Sequence, residues 1–132
     1  MTHNPDDKNS ASGGGLDNIT AVLYEGQNVE IRQTFEFRDW LNGLRDRRAR
    51  VRIDDRLKRL ARGNVGDTKS VGGGVHELRM QFGPGYRVYY KWVGEVLILL
   101  LTGGDKGSQA RDIERAKRMA KKADNGIEDA SL

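Results

Sequence analysis

Four residues have the types and spacing to do chemistry: Glu77 and Arg79, two apart in VHELRM, Arg87 in GPGYRVYY, and Lys106 in LTGGDKGSQ. Residues two apart on a β-strand share a face, so a carboxylate and a guanidinium stand side by side there, and a neighbouring strand can bring up a second guanidinium. Such a set has the parts for breaking an RNA phosphodiester without a metal. That reaction needs a base for the 2′-hydroxyl, cations for the charge that builds around phosphorus, and a proton for the departing 5′ oxygen. Glu77 is the candidate base. Arg87 and Arg79 are the candidate bidentate phosphate clamp, and Lys106 the source of charge or of a proton. The same residues also fit a plainer role, a surface ladder of cross-strand salt bridges, and spacing alone does not choose between the two.

The stretch 75–109 must position them. It reads as three strands side by side, two joined through Gly83-Pro84-Gly85 and the next through Gly94-Glu95, with a polar loop and a helix after them. Leu78, Met80 and Phe82 fall on one side of the first strand, with Glu77, Arg79 and Gln81 on the other. Val88, Tyr90 and Trp92 share a side of the second, opposite Arg87, Tyr89 and Lys91. With the apolar sides turned to helices, the expected remainder is a shallow concave surface carrying Glu77, Arg79, Arg87, Tyr89 and Lys91. Cations with an aromatic ring suit RNA, and Lys69, Tyr89, Lys91 and Gln109 are the expected RNA contacts. Residues 96–101 do not alternate, so they are expected as a central strand covered on both faces. Residues 102–108 then read as a loop that puts Lys106 at the rim.

The rest of the chain supplies packing and charge. Residues 29–33 alternate and read as a first strand. Thr34 is the expected N-cap of a helix whose Phe37, Trp40, Leu41 and Leu44 form one apolar face. A second helix is expected over 47–62, with Ala49, Ile53, Leu57 and Leu60 inward and Arg48, Arg52, Arg56, Lys58, Arg59 and Arg62 outward, closed by Gly63-Asn64. The two read as an antiparallel pair on the sheet; the arginine face could grip nucleic acid or simply be solvated. Residues 66–74 are a loop or short edge strand. A last helix over 108–123 is expected to bury Ile113, Ala116 and Ala120. Residues 1–28 are expected as a flexible extension, although 19–24 could be a short strand, with the folded domain at 29–123 and a flexible acidic tail at 124–132.

Composition narrows the classes. A chain of 132 residues has room for one core. It has no cysteine, which excludes disulfides and thiolate metal sites. Of its 2 histidines, His3 lies in the tail and His76 on the core side of its strand, so neither a metal nor a cofactor is expected. Gly103-Gly104-Asp105-Lys106 lacks the spacing of a nucleotide-phosphate loop. No apolar run is long enough for a membrane helix and residues 1–15 lack the core of a signal peptide, so a cytoplasmic protein without a membrane partner is expected. The net charge is +4, but residues 29–123 hold 22 bases against 12 acids, while 1–28 and 124–132 are acidic. A body that basic expects a polyanion or an acidic protein.

The runs FRDWLNGLRDRRARVRIDDRLKRLARGNVGD, HELRMQFGPGYRVYY and LLTGGDKGSQARDIERAK, taken together, resemble the addiction-module killer proteins, the HigB-like branch of the RelE/ParE toxin superfamily. The likeness covers residues 29–123. It implies a small α+β fold, an antiparallel sheet of about four strands with an N-terminal helical hairpin and a C-terminal helix. It also implies a type II toxin encoded beside an antitoxin, in many relatives a metal-independent endoribonuclease that cuts mRNA on the ribosome; the ParE branch instead inhibits DNA gyrase. In this resemblance Arg87 matches the arginine that holds the scissile phosphate, Arg79 a basic position, and Lys106 an arginine that stabilises the leaving oxygen. Two positions depart from the pattern. Glu77 stands where RelE-like enzymes have a lysine base, and their late tyrosine is either replaced by Asp112 or absent, which leaves the acid and base open. The implied partners are mRNA, the ribosome and an antitoxin, itself a DNA-binding protein.

Overall fold

The computed structural model describes the backbone of residues 19–25 and 29–131 and the side chains of 29–124. Strand β1 (Ile19–Glu25) precedes β2 (Glu30–Thr34), after which come helices α1 (Phe35–Asn42) and α2 (Arg47–Ala61). Strands β3 (Thr68–Gly72), β4 (Val75–Arg79), β5 (Tyr86–Val93) and β6 (Leu97–Asp105) follow. A 3-10 turn (Lys106–Ser108) then leads into α3 (Gln109–Ser131). The expectation of a flexible extension falls largely on residues 1–18 and 26–28, outside those described; the backbone of β1 pairs antiparallel with β2.

The sheet corrects the expected fold. From Glu30 onward five strands lie in the order β2-β6-β5-β4-β3, β1 adds a sixth beside β2, and β2 runs parallel to β6. The sheet is therefore mixed, not an antiparallel sheet of about four strands. The cause is local. Thr34 ends β2 and is also the N-cap of α1, its hydroxyl oxygen accepting from the Phe37 N–H at 3.0 Å. The chain thus leaves the sheet directly into the helix pair. It comes back at the far edge as a β3-β4-β5-β6 meander whose last strand slots in beside β2. Residues 66–74, left as a loop or edge strand by the sequence, form β3 and its turn, with φ near +98°, +63° and +78° at Gly72, Gly73 and Gly74.

Two apolar layers hold the sheet. Phe37 of α1 and Ile53, Leu57 and Leu60 of α2 meet Leu78, Met80, Val88, Tyr90, Ile98 and Leu100 on one face. On the other, Ala116 and Ala120 of α3 pack on Val75, Tyr89, Leu99 and Leu101. Strand β6 is buried from Ile98 to Gly104, the double cover its unbroken apolar run implies, although it extends through most of the stretch expected as a loop. The pair Gly103-Gly104 completes that sandwich. A Cβ on Gly103 would lie 2.3 Å from the Trp40 ring, and one on Gly104 1.8 Å from Asp112 Oδ2, so both faces approach too closely for a side chain there. Helix α1 is shorter than its apolar spacing suggests. It ends at Asn42, and Leu44 packs on the core from beyond it.

Candidate functional site

The second layer changes what the polar face of β4 and β5 can be. An open concave surface was expected there. Instead α3 lies across it, because Leu99 and Leu101 of β6 need cover and the stripe of Ala116 and Ala120 brings the helix close. Glu77 and Tyr89 sit opposite each other in the β4/β5 ladder, as do Arg79 and Arg87, all on this face. Glu77 is 1 % exposed and Tyr89 0 %. Neither ring nor carboxylate reaches solvent in this conformation.

Glu77 is the hub. Its Oε2 accepts from the Tyr89 hydroxyl at 3.0 Å and from Gln109 Nε2 at 2.8 Å, and Arg87 Nε lies 3.8 Å away. A buried carboxylate is costly unless so surrounded. Burial, and then the Glu77 carboxylate, push the Tyr89 phenol up, so it stays protonated and donates. The Arg87 side chain is 11 % exposed. Its Nη1 donates to the carbonyls of Gly85 at 3.3 Å and Tyr86 at 3.4 Å, and its buried Nε has no hydrogen-bond partner among the described residues.

Lys106 arrives at the same corner by another route. Asp105 caps the 3-10 turn, its Oδ1 accepting from the N–H groups of Gly107 at 2.8 Å and Ser108 at 3.2 Å, which holds the turn tightly against the end of β6. Lys106 is exposed there. Gly85, at φ near +79°, lies against the Lys106 stem and the Arg87 guanidinium: a Cβ on it would lie 3.3 Å from Lys106 Cβ and 3.6 Å from Arg87 Nη1. The corner therefore joins a nearly buried guanidinium to the exposed side chain of Lys106.

The other expected residues are placed differently. Arg79 directs Nε and Nη2 to Asp67 Oδ1 at 3.1 and 2.9 Å, and Gln81 donates to Asp67 Oδ2 at 2.8 Å. Arg79 thus enters an ion pair at the strand end instead of forming a clamp with Arg87, and it holds the Asp67 carboxyl below its usual range. Lys91 is 7 % exposed and pairs with Asp124 on α3. Lys69 is exposed on the edge strand, opposite Glu77 in register. Gln109 binds Glu77 and closes the network from α3. His76 stacks on Tyr90, ring centroids 5.3 Å apart, in the packing role its alternation suggests.

Asp67 and Glu36 have no site role in the sequence reading, and Asp112 enters it only as a departure from the family pattern. Asp67 pairs with a strand twelve residues on, a long-range contact with no local signature. Asp112, 9 % exposed, accepts from the Ser108 hydroxyl and packs on Gly104; the i, i+4 spacing of Ser108 and Asp112 was the available signal. Glu36 accepts from Thr102 Oγ1 at 3.0 Å and from the Arg115 guanidinium, tying α1, β6 and α3 together. Arg115 holds the Glu36 carboxyl below its usual range.

Among the described residues no helix is long and apolar enough to cross a membrane. No family model and no solved structure matches the chain. An uncharacterized protein of Haemophilus influenzae is 49 % identical over 92 residues, which span 70 % of this chain and 93 % of the relative.

Proposed function

The chain belongs to the same family as this Haemophilus influenzae protein, and we propose that it is the toxin of a toxin–antitoxin pair, an endoribonuclease acting on mRNA at the ribosome. One observation carries the reading. A buried carboxylate, Glu77, gathers Tyr89, Gln109 and Arg87 at the one corner where Arg87 also flanks an exposed Lys106. Packing needs no such arrangement, since an apolar quartet would fill the space without the desolvation cost. Ionisable groups gathered at that cost mark functional sites.

The chemistry follows from the placement. A scissile phosphate seated over Gly85 would meet Arg87 through its nonbridging oxygens and Lys106 near the departing 5′ oxygen. The 2′-oxygen attacks phosphorus, the bond to the 5′ oxygen breaks, and a 2′,3′-cyclic phosphate remains. Lys106 gives the 5′ oxygen its proton, and the 2′-hydroxyl proton passes to water. Arg87 opposes the charge that grows on the phosphorane, the part of such reactions in which fixed cations contribute most. Glu77 was the expected base from sequence. Buried beneath Gln109, it acts here as a positioning residue, holding Arg87 and Tyr89 in register. An acidic antitoxin that covers this basic corner would silence it.

The test is induction of the wild type, Arg87→Ala and Lys106→Ala in cells, with growth followed and mRNA 5′ ends mapped. New mRNA ends and growth arrest in the wild type, both lost with Arg87→Ala, support the reading. Arrest with intact mRNA and broken DNA would replace it with gyrase inhibition.

A further inference from the structure

The helix pair carries a second cationic feature that this site does not use. Arg52, Arg56 and Arg59 of α2 line a cleft of about 280 Å³ closed by Gln81 and Phe82 after β4. Spacings of four and three residues put them on one helix face, and each is held differently. The Arg52 guanidinium lies over the Phe82 ring, 4.0 Å from its centroid, a contact that orients the cation without neutralising it. Arg56 donates Nη1 to the Arg79 carbonyl at 3.0 Å. Gly66, at φ near +61°, leaves room for that guanidinium, since a Cβ would stand 2.9 Å from Nη2. Arg59 is exposed, and neither it nor Arg52 forms a salt bridge among the described residues. Asp55 is the one acid in the lining. The cleft keeps a net positive charge with its cations already oriented.

It lies on the other face of the sheet from the catalytic corner, and Arg79 connects the two through strand β4. The Arg79 carbonyl receives Arg56 from the cleft, and the Arg79 side chain pairs with Asp67, which also holds Gln81. Arg79 stands opposite Arg87 across the ladder. One residue thus separates the two cationic regions.

We infer that this cleft holds the phosphodiester backbone of the same single-stranded RNA whose scissile phosphate lies at Arg87 and Lys106, on a stretch flanking the cut. The inference rests on the ribonuclease reading. An acidic peptide fits less well. Phe82 is capped by Arg52 and packed on Tyr86 at 5.7 Å between centroids, so the cleft offers no open apolar socket of the kind peptide segments use as anchors. Phosphates ask only for cations.

The experiment measures binding of the full chain to a labelled single-stranded RNA made uncleavable by 2′-O-methylation, by fluorescence anisotropy across a salt series. The proteins are the wild type, Arg52→Ala/Arg59→Ala, Arg52→Lys/Arg59→Lys and Arg87→Ala, and a polyglutamate peptide serves as a second ligand. Losing two phosphate contacts should weaken RNA binding at least tenfold and lower the slope of log affinity against log salt by about 1.4. The double lysine variant should retain most of the affinity, and Arg87→Ala should weaken binding independently. If the double alanine variant binds RNA as the wild type does while Arg87→Ala does not, the cleft inference fails alone. If it loses only polyglutamate, the cleft belongs to an acidic protein partner. A wild type that binds no RNA overturns both the cleft and the reading beneath it.

Discussion

The two faces of one sheet are built on opposite plans. Under α1 and α2 the contacts are almost all apolar, Leu57 and Ile53 against Leu78, Val88 and Ile98, and the α2 arginines turn outward. Under α3 the apolar strip of Leu99, Leu101, Ala116 and Ala120 is joined by Glu77, Arg87, Lys91, Thr102 and Asp112, each at most 9 % exposed. The first face obtains its stability from burial alone. The second accepts desolvated charge beside its apolar strip, with Tyr89, Gln109 and Arg87 gathered around the buried Glu77 carboxylate. On the proposed reading, the difference separates what makes the protein fold from what makes it act.

The contrast can be broken from either side. On the first face Leu57→Ala should lower the unfolding free energy by about 2–5 kcal/mol, as for buried leucines elsewhere, in urea denaturation. Below its new midpoint it should leave cleavage unchanged. On the second face Tyr89→Phe removes one hydrogen bond to Glu77 and should cost only about 1 kcal/mol. Its larger effect should be on cleavage, because Glu77 loses one of the donors that orient it toward Arg87. If Leu57→Ala abolishes cleavage while folded, or Tyr89→Phe leaves it untouched, the division of labour is wrong.

The smallest effect is on acid stability. Asp67 and Glu36 are both held below the usual carboxylate range, by Arg79 and Arg115 respectively. Their pairing is therefore present above the ordinary carboxylate pKa of about 4 and is lost as pH falls through the lower folded values. Both pairs are substantially exposed, so the effect is modest and screened by salt. Thermal melts between pH 5 and pH 2 should show a shallower loss for Arg115→Ala than for the wild type; parallel curves would count against the Glu36 pair.

Much of this arrangement was legible in the sequence because it is written at short range. Thr34 as a cap, the apolar face of α2, the β4 and β5 alternation and the unbroken run of β6 all follow from periods of two or 3.6 residues. The mixed sheet was not legible. Whether β2 lies beside β6 or at an edge depends on where the chain re-enters the sheet, and no local pattern encodes that. The buried site failed to emerge for a related reason. The sequence shows that β6 needs cover on both faces and that α3 has an apolar stripe. Only their combination requires α3 to lie over Glu77, Tyr89 and Lys91, and the alternation of charged residues there reads the same whether the face meets water or a helix. The sequence places Lys106 at the rim of the basic surface, and in the structure Gly85 of the Gly83-Pro84-Gly85 turn approaches both Lys106 and Arg87.

On the proposed reading Arg87 presents a planar guanidinium to phosphate beside the Glu77 carboxylate, and Arg87→Lys tests this most directly, because it keeps the charge and loses the fork. The measurement is the rate of cleavage of a single mRNA in a translating extract by the wild type and this variant, with thermal stability recorded for both. The account predicts a loss on the order of 100-fold, the scale on which one oriented donor acts on a developing oxyanion, with little change in melting temperature. An Arg87→Lys protein that cuts at the wild-type rate would contradict it.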